Sequence, residues 1–262
     1  VEAPPGDAVV TLGDRSYRLG IPADYDRDRP VPLVMNLHGS GSNALEQTTY
    51  SEMAARAGER GWITVTPDAI GGKWELAPTG ADDEFLTAVF DQVTAGYCVD
   101  LDRVHLTGMS LGAWKAAATA CAHADRFASI ALVTVEVHPS DCPPMSVVAF
   151  HGTADTVVPY GEGADPGVVV TGPNAGLPGA RGNIAGWASA AGCGAEPRVQ
   201  PIGSDVEHWT YQGCPDGRGV EFYSIEGGGH TWPGASIDIG PTTQTIDSTD
   251  IALDWFETHP RA

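Results

Sequence analysis

Gly108-Met109-Ser110-Leu111-Gly112 is a Gly-x-Ser-x-Gly pentapeptide between an apolar stretch holding Val104 and Leu106 and an Ala-rich stretch from Trp114 to Cys121. A strand that runs into a helix through five such residues forces the central serine into a tight, strained turn. A Cβ at either glycine would clash with the neighbouring strand or helix. The turn lifts the Ser110 hydroxyl clear of the backbone at a helix N-terminus, where partial positive charge favours a developing anion. The pentapeptide alone says little in a chain with 33 glycines, and a structural turn serine is the bland alternative. The strand-turn-helix context carries the inference that Ser110 is a nucleophile.

A serine hydroxyl needs a base within hydrogen-bond reach, itself oriented by a third group. Around this kind of turn the partners follow in the chain order serine, acid, histidine. That order removes His38 and His105 from consideration. His123 falls on the helix after Ser110, His138 and His208 fall in loops, and His259 is in the tail. His151 precedes a tight turn and is expected to hold its loop in shape through its ring nitrogens. His230, on a Gly-rich loop directly after the last strand, is the candidate base, free to swing towards Ser110. Asp155 follows a strand by a short turn and is the candidate acid. Asp125 and Asp141 read as helix or turn caps, and Asp205 and Asp216 have no strand end to place them. For the oxyanion, the backbone N–H of Leu111 and that of Ser40, in His38-Gly39-Ser40, are the expected donors, with Gly41 as the alternative to Ser40.

These residues need a scaffold. Ala8 to Ile21 alternates as an edge hairpin, and Pro30 to Leu37 and Trp62 to Thr66 read as strands buried on both faces. Ala44 to Arg60 and Asp82 to Ala95 have helical spacing. Strands are expected at Phe127 to Val135, Ser146 to Phe150 and Val220 to Ile225, with a strand pair over Val199 to Gln212. Helices are expected at Arg181 to Ala191 and Asp247 to Thr258. Tyr160 to Ala180, rich in Gly, Pro and Ala, reads as a long surface loop. Alternating strands and helices predict an α/β fold with a mostly parallel, doubly wound sheet, and no composition shift divides the 262 residues, so one domain is expected over 1–262.

The formal net charge of −20 disfavours nucleic acid and anionic membrane surfaces as partners. No apolar run approaches the roughly 18 residues a membrane span needs. The start, Val1-Glu2-Ala3-Pro4, reads as a trimmed mature end. Five cysteines suit an exported protein with two disulfides and one buried thiol. Nearness in sequence suggests Cys121 with Cys142 and Cys193 with Cys214, leaving Cys98, although spacing does not establish connectivity.

Four stretches then carry a resemblance. Leu37-His38-Gly39-Ser40, Arg103 through Ser110, His151-Gly152-Thr153-Ala154-Asp155 through Tyr160, and Gly227-Gly228-Gly229-His230-Thr231-Trp232-Pro233-Gly234 resemble the secreted polyhydroxybutyrate depolymerase/feruloyl esterase family of α/β-hydrolases. The likeness runs from about Tyr17 to the C-terminal helix. It implies an α/β-hydrolase fold without a large lid, a triad of Ser110, Asp155 and His230, no metal or other cofactor, and bridges Cys121–Cys142 and Cys193–Cys214. The chain departs from the family at Leu111-Gly112-Ala113, where Asn-Gly-Gly is common, and at Ser40, where many members place Cys.

The expected activity is extracellular hydrolysis of a carboxylic ester through an acyl-enzyme, by a monomer. Polyhydroxyalkanoate-type polyester or feruloyl esters are the leading substrates, and acetyl xylan or general short-chain esters the alternative. Trp74 and Trp232, read as exposed, are the expected substrate contacts. A serine peptidase of the same fold and a non-catalytic polymer-binding protein on a hydrolase scaffold are the rival readings.

Overall fold

Alternating apolar residues make Gly6–Leu12 (β1) and Arg15–Ile21 (β2) an antiparallel hairpin that turns Tyr17, Leu19 and Ile21 into the core. The computed structural model describes residues 6–77, 79–161 and 178–261. The expected loop over Tyr160 to Ala180 falls mostly outside them. The continuous apolar run Val31–Leu37 (β3) is buried at every position and lies parallel to Ile63–Pro67 (β4) on one side and Val99–Met109 (β5) on the other. Ser129–Val133 (β6), Ser146–Gly152 (β7) and Val220–Ile225 (β10) continue the parallel run. Pro197–Ile202 (β8) and Val206–Tyr211 (β9) close the far edge antiparallel, as expected for the strand pair. The ten strands of the described residues form one sheet in the order β1-β2-β4-β3-β5-β6-β7-β10-β9-β8.

Both faces are covered, which is why the parallel strands read as unbroken apolar runs. Helices Ala81–Gly96 (α3), Leu111–Ala122 (α4) and Gly179–Ala190 (α5) share one core with Leu33, Met35 and Leu37. Met53–Glu59 (α2) and Ser248–Thr258 (α6) share the other with Val34, Val148 and Phe150. Asp247 caps α6 through its carboxylate, accepting from the N–H groups of Thr249 and Asp250.

One expected element is divided. The helical stretch Ala44 to Arg60 is two helices, Ala44–Ser51 (α1) and α2, broken at Glu52, whose φ of 53° is left-handed. The cause is Ser51: its buried hydroxyl accepts from Asn36 Nδ2 at 3.0 Å and from the Met53 N–H at 3.3 Å. That anchors the chain to β3 and restarts the helix at a new angle.

The chain winds outward from β3 to β4, then returns to lay β5 on the opposite side of β3. The crevice at the carboxyl ends of β3 and β5 is the switch point where open α/β sheets bind ligands. Two disulfides brace the periphery. Cys121–Cys142 ties the end of α4 to the loop before β7, and Cys193–Cys214 ties the segment after α5 to the exit of β9. Cys98 is free but only half-buried, where a buried thiol was expected. Among the described residues no helix is long and apolar enough to cross a membrane.

Candidate active site

Ser110 occupies the single-residue turn between β5 and α4, with φ 56° and ψ −124°. A non-glycine residue held there carries strain of roughly 1–3 kcal/mol and persists only where the surroundings over-determine it. They do so here. The Ser110 N–H donates to the Val133 carbonyl at 2.9 Å, pinning the turn to β6. A Cβ on Gly112 would stand 2.2 Å from the Leu37 carbonyl oxygen, and one on Gly108 would stand 2.6 Å from the Gly112 backbone. The sequence reading of these two glycines therefore holds.

Asp155 lies in the turn after β7 and His230 in the loop after β10. Asp155 Oδ2 and His230 Nδ1 are 2.7 Å apart, and the carboxylate is fully buried while the imidazole is 16% exposed. Oδ1 accepts from the N–H groups of Val157 and Val158, at 2.8 and 2.9 Å. Burial by itself would raise the Asp155 pKa. The hydrogen bonds from His151 and His230, and the charge on those rings, outweigh it and hold the carboxyl well below the usual range. With Nδ1 facing a carboxylate, Nδ1–H donates and Nε2 is left bare as a base. Ser110 and His230 line the same cleft.

The glycines before His230 do not work as expected. They provide close approach, not freedom to swing. A Cβ on Gly152 would stand 2.2 Å from the Gly228 carbonyl oxygen. The Ala154 N–H donates to Gly228 O at 2.9 Å and the Gly229 N–H to Pro241 O at 2.8 Å. The acid turn and the histidine loop are stitched together backbone to backbone.

Ser40 lines the cleft beside Ser110. Among the described residues, neither its N–H nor that of Leu111 donates to a protein acceptor, as an oxyanion pair requires. The Gly41 N–H is committed to Gly72 O at 2.7 Å, which removes the alternative. His38 fixes this loop. Its Nδ1 faces the Gly39 carbonyl at 2.8 Å, and its Nε2 accepts from the Ala69 N–H at 3.0 Å. Burial lowers its pKa, which suits this neutral tautomer.

The chain aligns over 95% of its length, at 29% identity, with a protein of Nocardia uniformis subsp. tsuyamanensis named as an esterase, NocK, and covers 81% of that protein. Feruloyl esterase B of Piromyces equi is 30% identical over 82% of this chain. Here the chain spans only 42% of the relative's length. The acetyl xylan esterase of Aspergillus awamori superposes with a TM-score of 0.68 at 16% identity, covering 97% of this chain and 99% of that one, a likeness of fold. No family model matches. The chain is similar in sequence to proteins named esterase and feruloyl esterase, and it has the α/β-hydrolase fold.

The cleft over Ser110 has a volume of about 490 Å³. Its apolar wall comes from Leu45 and Tyr50 on α1, Met109, Val157, and Ile237 and Ile239 on the loop before α6. Leu45, Ile237 and Ile239 are about half exposed at its mouth. Nothing in their local sequence distinguished these aliphatic residues from ordinary surface residues. Only the approach of two segments nearly 200 positions apart makes them a wall.

Trp74 and Trp232 are not substrate contacts. They are 4% and 1% exposed and absent from the cleft lining. Trp74 Nε1 donates to the His38 carbonyl at 2.8 Å, and Trp232 Nε1 to Thr249 Oγ1 at 2.8 Å. Each indole has an internal partner, so burial leaves no polar atom stranded. Trp74→Phe is expected to lower stability by about 1–2 kcal/mol through loss of that bond. KM for a small ester should be unchanged. Urea melts and steady-state rates on p-nitrophenyl acetate check both.

The remaining histidines take up structural tasks. His123 pairs with Asp83, and His208 with Glu221. His105 stacks between Trp62 and Phe256, where burial pushes its pKa down to about 3. His151 does hold its loop, with Nε2 at 2.9 Å from the Val158 carbonyl, but its Nδ1 reaches Glu136, a residue that nothing in its local sequence singles out. Among the described residues no group of His, Cys, Asp and Glu is arranged to hold a metal ion.

Proposed function

We propose that Ser110, Asp155 and His230 form a catalytic triad in a single catalytic domain that hydrolyses neutral esters with an apolar acyl group, cinnamoyl-type esters such as feruloyl first among them. The observation that carries this reading is the buried Asp155–His230 pair, 2.7 Å long, opening on the same cleft as a serine held at φ 56°. His230 Nε2 takes the Ser110 proton as Oγ attacks the ester carbonyl. The N–H groups of Ser40 and Leu111 stabilise the oxyanion. His230 then returns the proton to the leaving alcohol, and water repeats the sequence on the acyl-enzyme. Asp155 holds the tautomer and stabilises the imidazolium without taking the proton.

The choice of substrate rests on the cleft. Its walls are largely apolar, Glu46 is the one carboxylate among the described lining residues, and the chain carries a net charge of −20, so anionic substrates are disfavoured. Relatives named feruloyl esterase support an aromatic acyl group. Two disulfides support an oxidising, extracellular setting. We infer a monomer without a nucleic-acid or membrane partner.

The expected result is a kcat/KM on methyl ferulate at least about tenfold above that on acetylated xylan or on polyhydroxybutyrate film, one methylene-scale contact being worth roughly that factor and an aromatic ring spanning several. A preference for the film would move the reading to polyester. No ester turnover on any of the three would leave the binding-protein reading standing.

A further inference from the structure

We propose that Glu136 is a positioning residue for ester hydrolysis, acting through His151 to hold Asp155 against His230. The inference rests on the triad reading above. Glu136 lies in the loop after β6, His151 within β7, Asp155 in the turn that follows and His230 in the loop after β10. Their side chains therefore run in a row across the carboxyl ends of three adjacent strands. Glu136 Oε2 is 2.8 Å from His151 Nδ1, His151 Nε2 is 3.4 Å from Asp155 Oδ2, and that same oxygen is 2.7 Å from His230 Nδ1.

The protons can be placed. His151 Nε2 lies 2.9 Å from the Val158 carbonyl, which can only accept, so Nε2 carries hydrogen. Nδ1 faces a carboxylate on the other side. With acids at both ends the ring is expected to be the imidazolium, and although burial opposes the charge, Glu136 and Asp155 push its pKa up to about 10. Glu136 is held in turn from α5, its Oε1 accepting from Asn183 Nδ2 at 3.2 Å and its backbone carbonyl from Trp187 Nε1 at 2.9 Å. The ring faces Glu136, Asp155, Tyr160 in a T-shaped contact at 5.5 Å and, beyond Asp155, His230, while α5 contributes the neutral Asn183 to Glu136 and the cationic Arg181 to the Tyr160 hydroxyl at 3.3 Å.

Two features separate this arrangement from a stability device. Glu136 and His151 are 2% and 1% exposed, and buried ion pairs of this kind return little net stability because their desolvation offsets their attraction. The backbone is also strained on their behalf. Thr134, two residues before Glu136, is β-branched yet sits at φ 65°, tied by its N–H to the Phe150 carbonyl at 2.8 Å. This second bend turns the chain after β6 inward and delivers Glu136 to His151. With His151 closing one side of Asp155 Oδ2 and two backbone N–H groups holding Oδ1, the carboxylate is left one direction in which to serve His230.

The test is a double-mutant cycle of Glu136→Gln and His151→Gln on wild-type background, with p-nitrophenyl acetate kinetics, urea melts and side-chain nitrogen NMR of histidine. Glu136→Gln is expected to lower kcat by at least about tenfold with KM within twofold, the signature of lost orientation. The double variant should lose no more than the worse single one, since the two act in series. In wild type at pH 8 the His151 signals should be those of imidazolium, and in Glu136→Gln those of the neutral ring. A folded Glu136→Gln with wild-type kcat, losses that multiply, or a neutral His151 in wild type would each overturn the proposal. A neutral His151 in the wild-type spectrum overturns the proposal even where the variants do not fold. If Ser110→Ala retained activity the triad reading would fail by itself, whereas the NMR arm reads the Glu136–His151 pair without any turnover.

Discussion

Ser110→Ala should lower kcat for p-nitrophenyl acetate by at least about a thousandfold while leaving the fold and KM close to wild type. The size follows from what the hydroxyl alone supplies. On the proposed mechanism no acyl-enzyme forms without Oγ, and His230 with the N–H groups of Ser40 and Leu111 would promote only slow direct attack by water. The fold should tolerate the change. Alanine meets the same left-handed strain at φ 56° as serine does. Residual activity within tenfold of wild type, in a preparation free of other esterases, would remove Ser110 as the nucleophile.

Gly112→Ala is expected to cost stability by about 3 kcal/mol or more and to abolish hydrolysis with it. The added methyl would stand 2.2 Å from the Leu37 carbonyl oxygen and 2.5 Å from that of His38, and both are backbone atoms that no rotamer change can move aside. Relief requires α4 to retreat from β3, which carries Ser110 away from the Ser40 loop on the same strand end. Gly58 provides the control. It lies in α2 with nothing within 4 Å of an added Cβ, so Gly58→Ala should be neutral or gain a few tenths of a kcal/mol, up to about 1, from a less flexible unfolded chain. Urea midpoints for the two variants, measured side by side, test the steric account. A Gly112→Ala midpoint equal to that of Gly58→Ala would sink it.

The contrast between those glycines bears on how much the sequence could say. Each has an alanine on one side, and only Gly112 sits in a recognisable Gly-x-Ser-x-Gly setting. Where local chemistry dictates geometry, reading was accurate. The alternation in β1 and β2, the apolar runs of β3 and β4 and the spacing of Phe85, Leu86, Val89 and Val93 in α3 all fixed elements near their observed bounds. The chain order of Ser110, Asp155 and His230 singled out the residues that the fold brings together around one cleft. Where the outcome depends on a partner far along the chain, reading failed. The break at Glu52 follows from Ser51 meeting Asn36, fifteen positions away.

The sequence by itself determined the sheet, its mostly parallel character, the strained serine and the order of its partners, because each follows from periodicity or from backbone geometry within a few residues. Tertiary structure decided everything that depends on which side chains face each other. Trp74 and Trp232 were equally suited to contact a substrate or to fill a core, and the His38 carbonyl and Thr249 hydroxyl settled both as core. The half-exposed Leu45, Ile237 and Ile239 became the wall of a cleft only because the loop before α6 returns over α1. Glu136 gained a role only when the bend at Thr134 brought it 2.8 Å from His151. A tryptophan or a glutamate carries the same local pattern whichever way it faces, so its task is written in the packing and not in its neighbours along the chain.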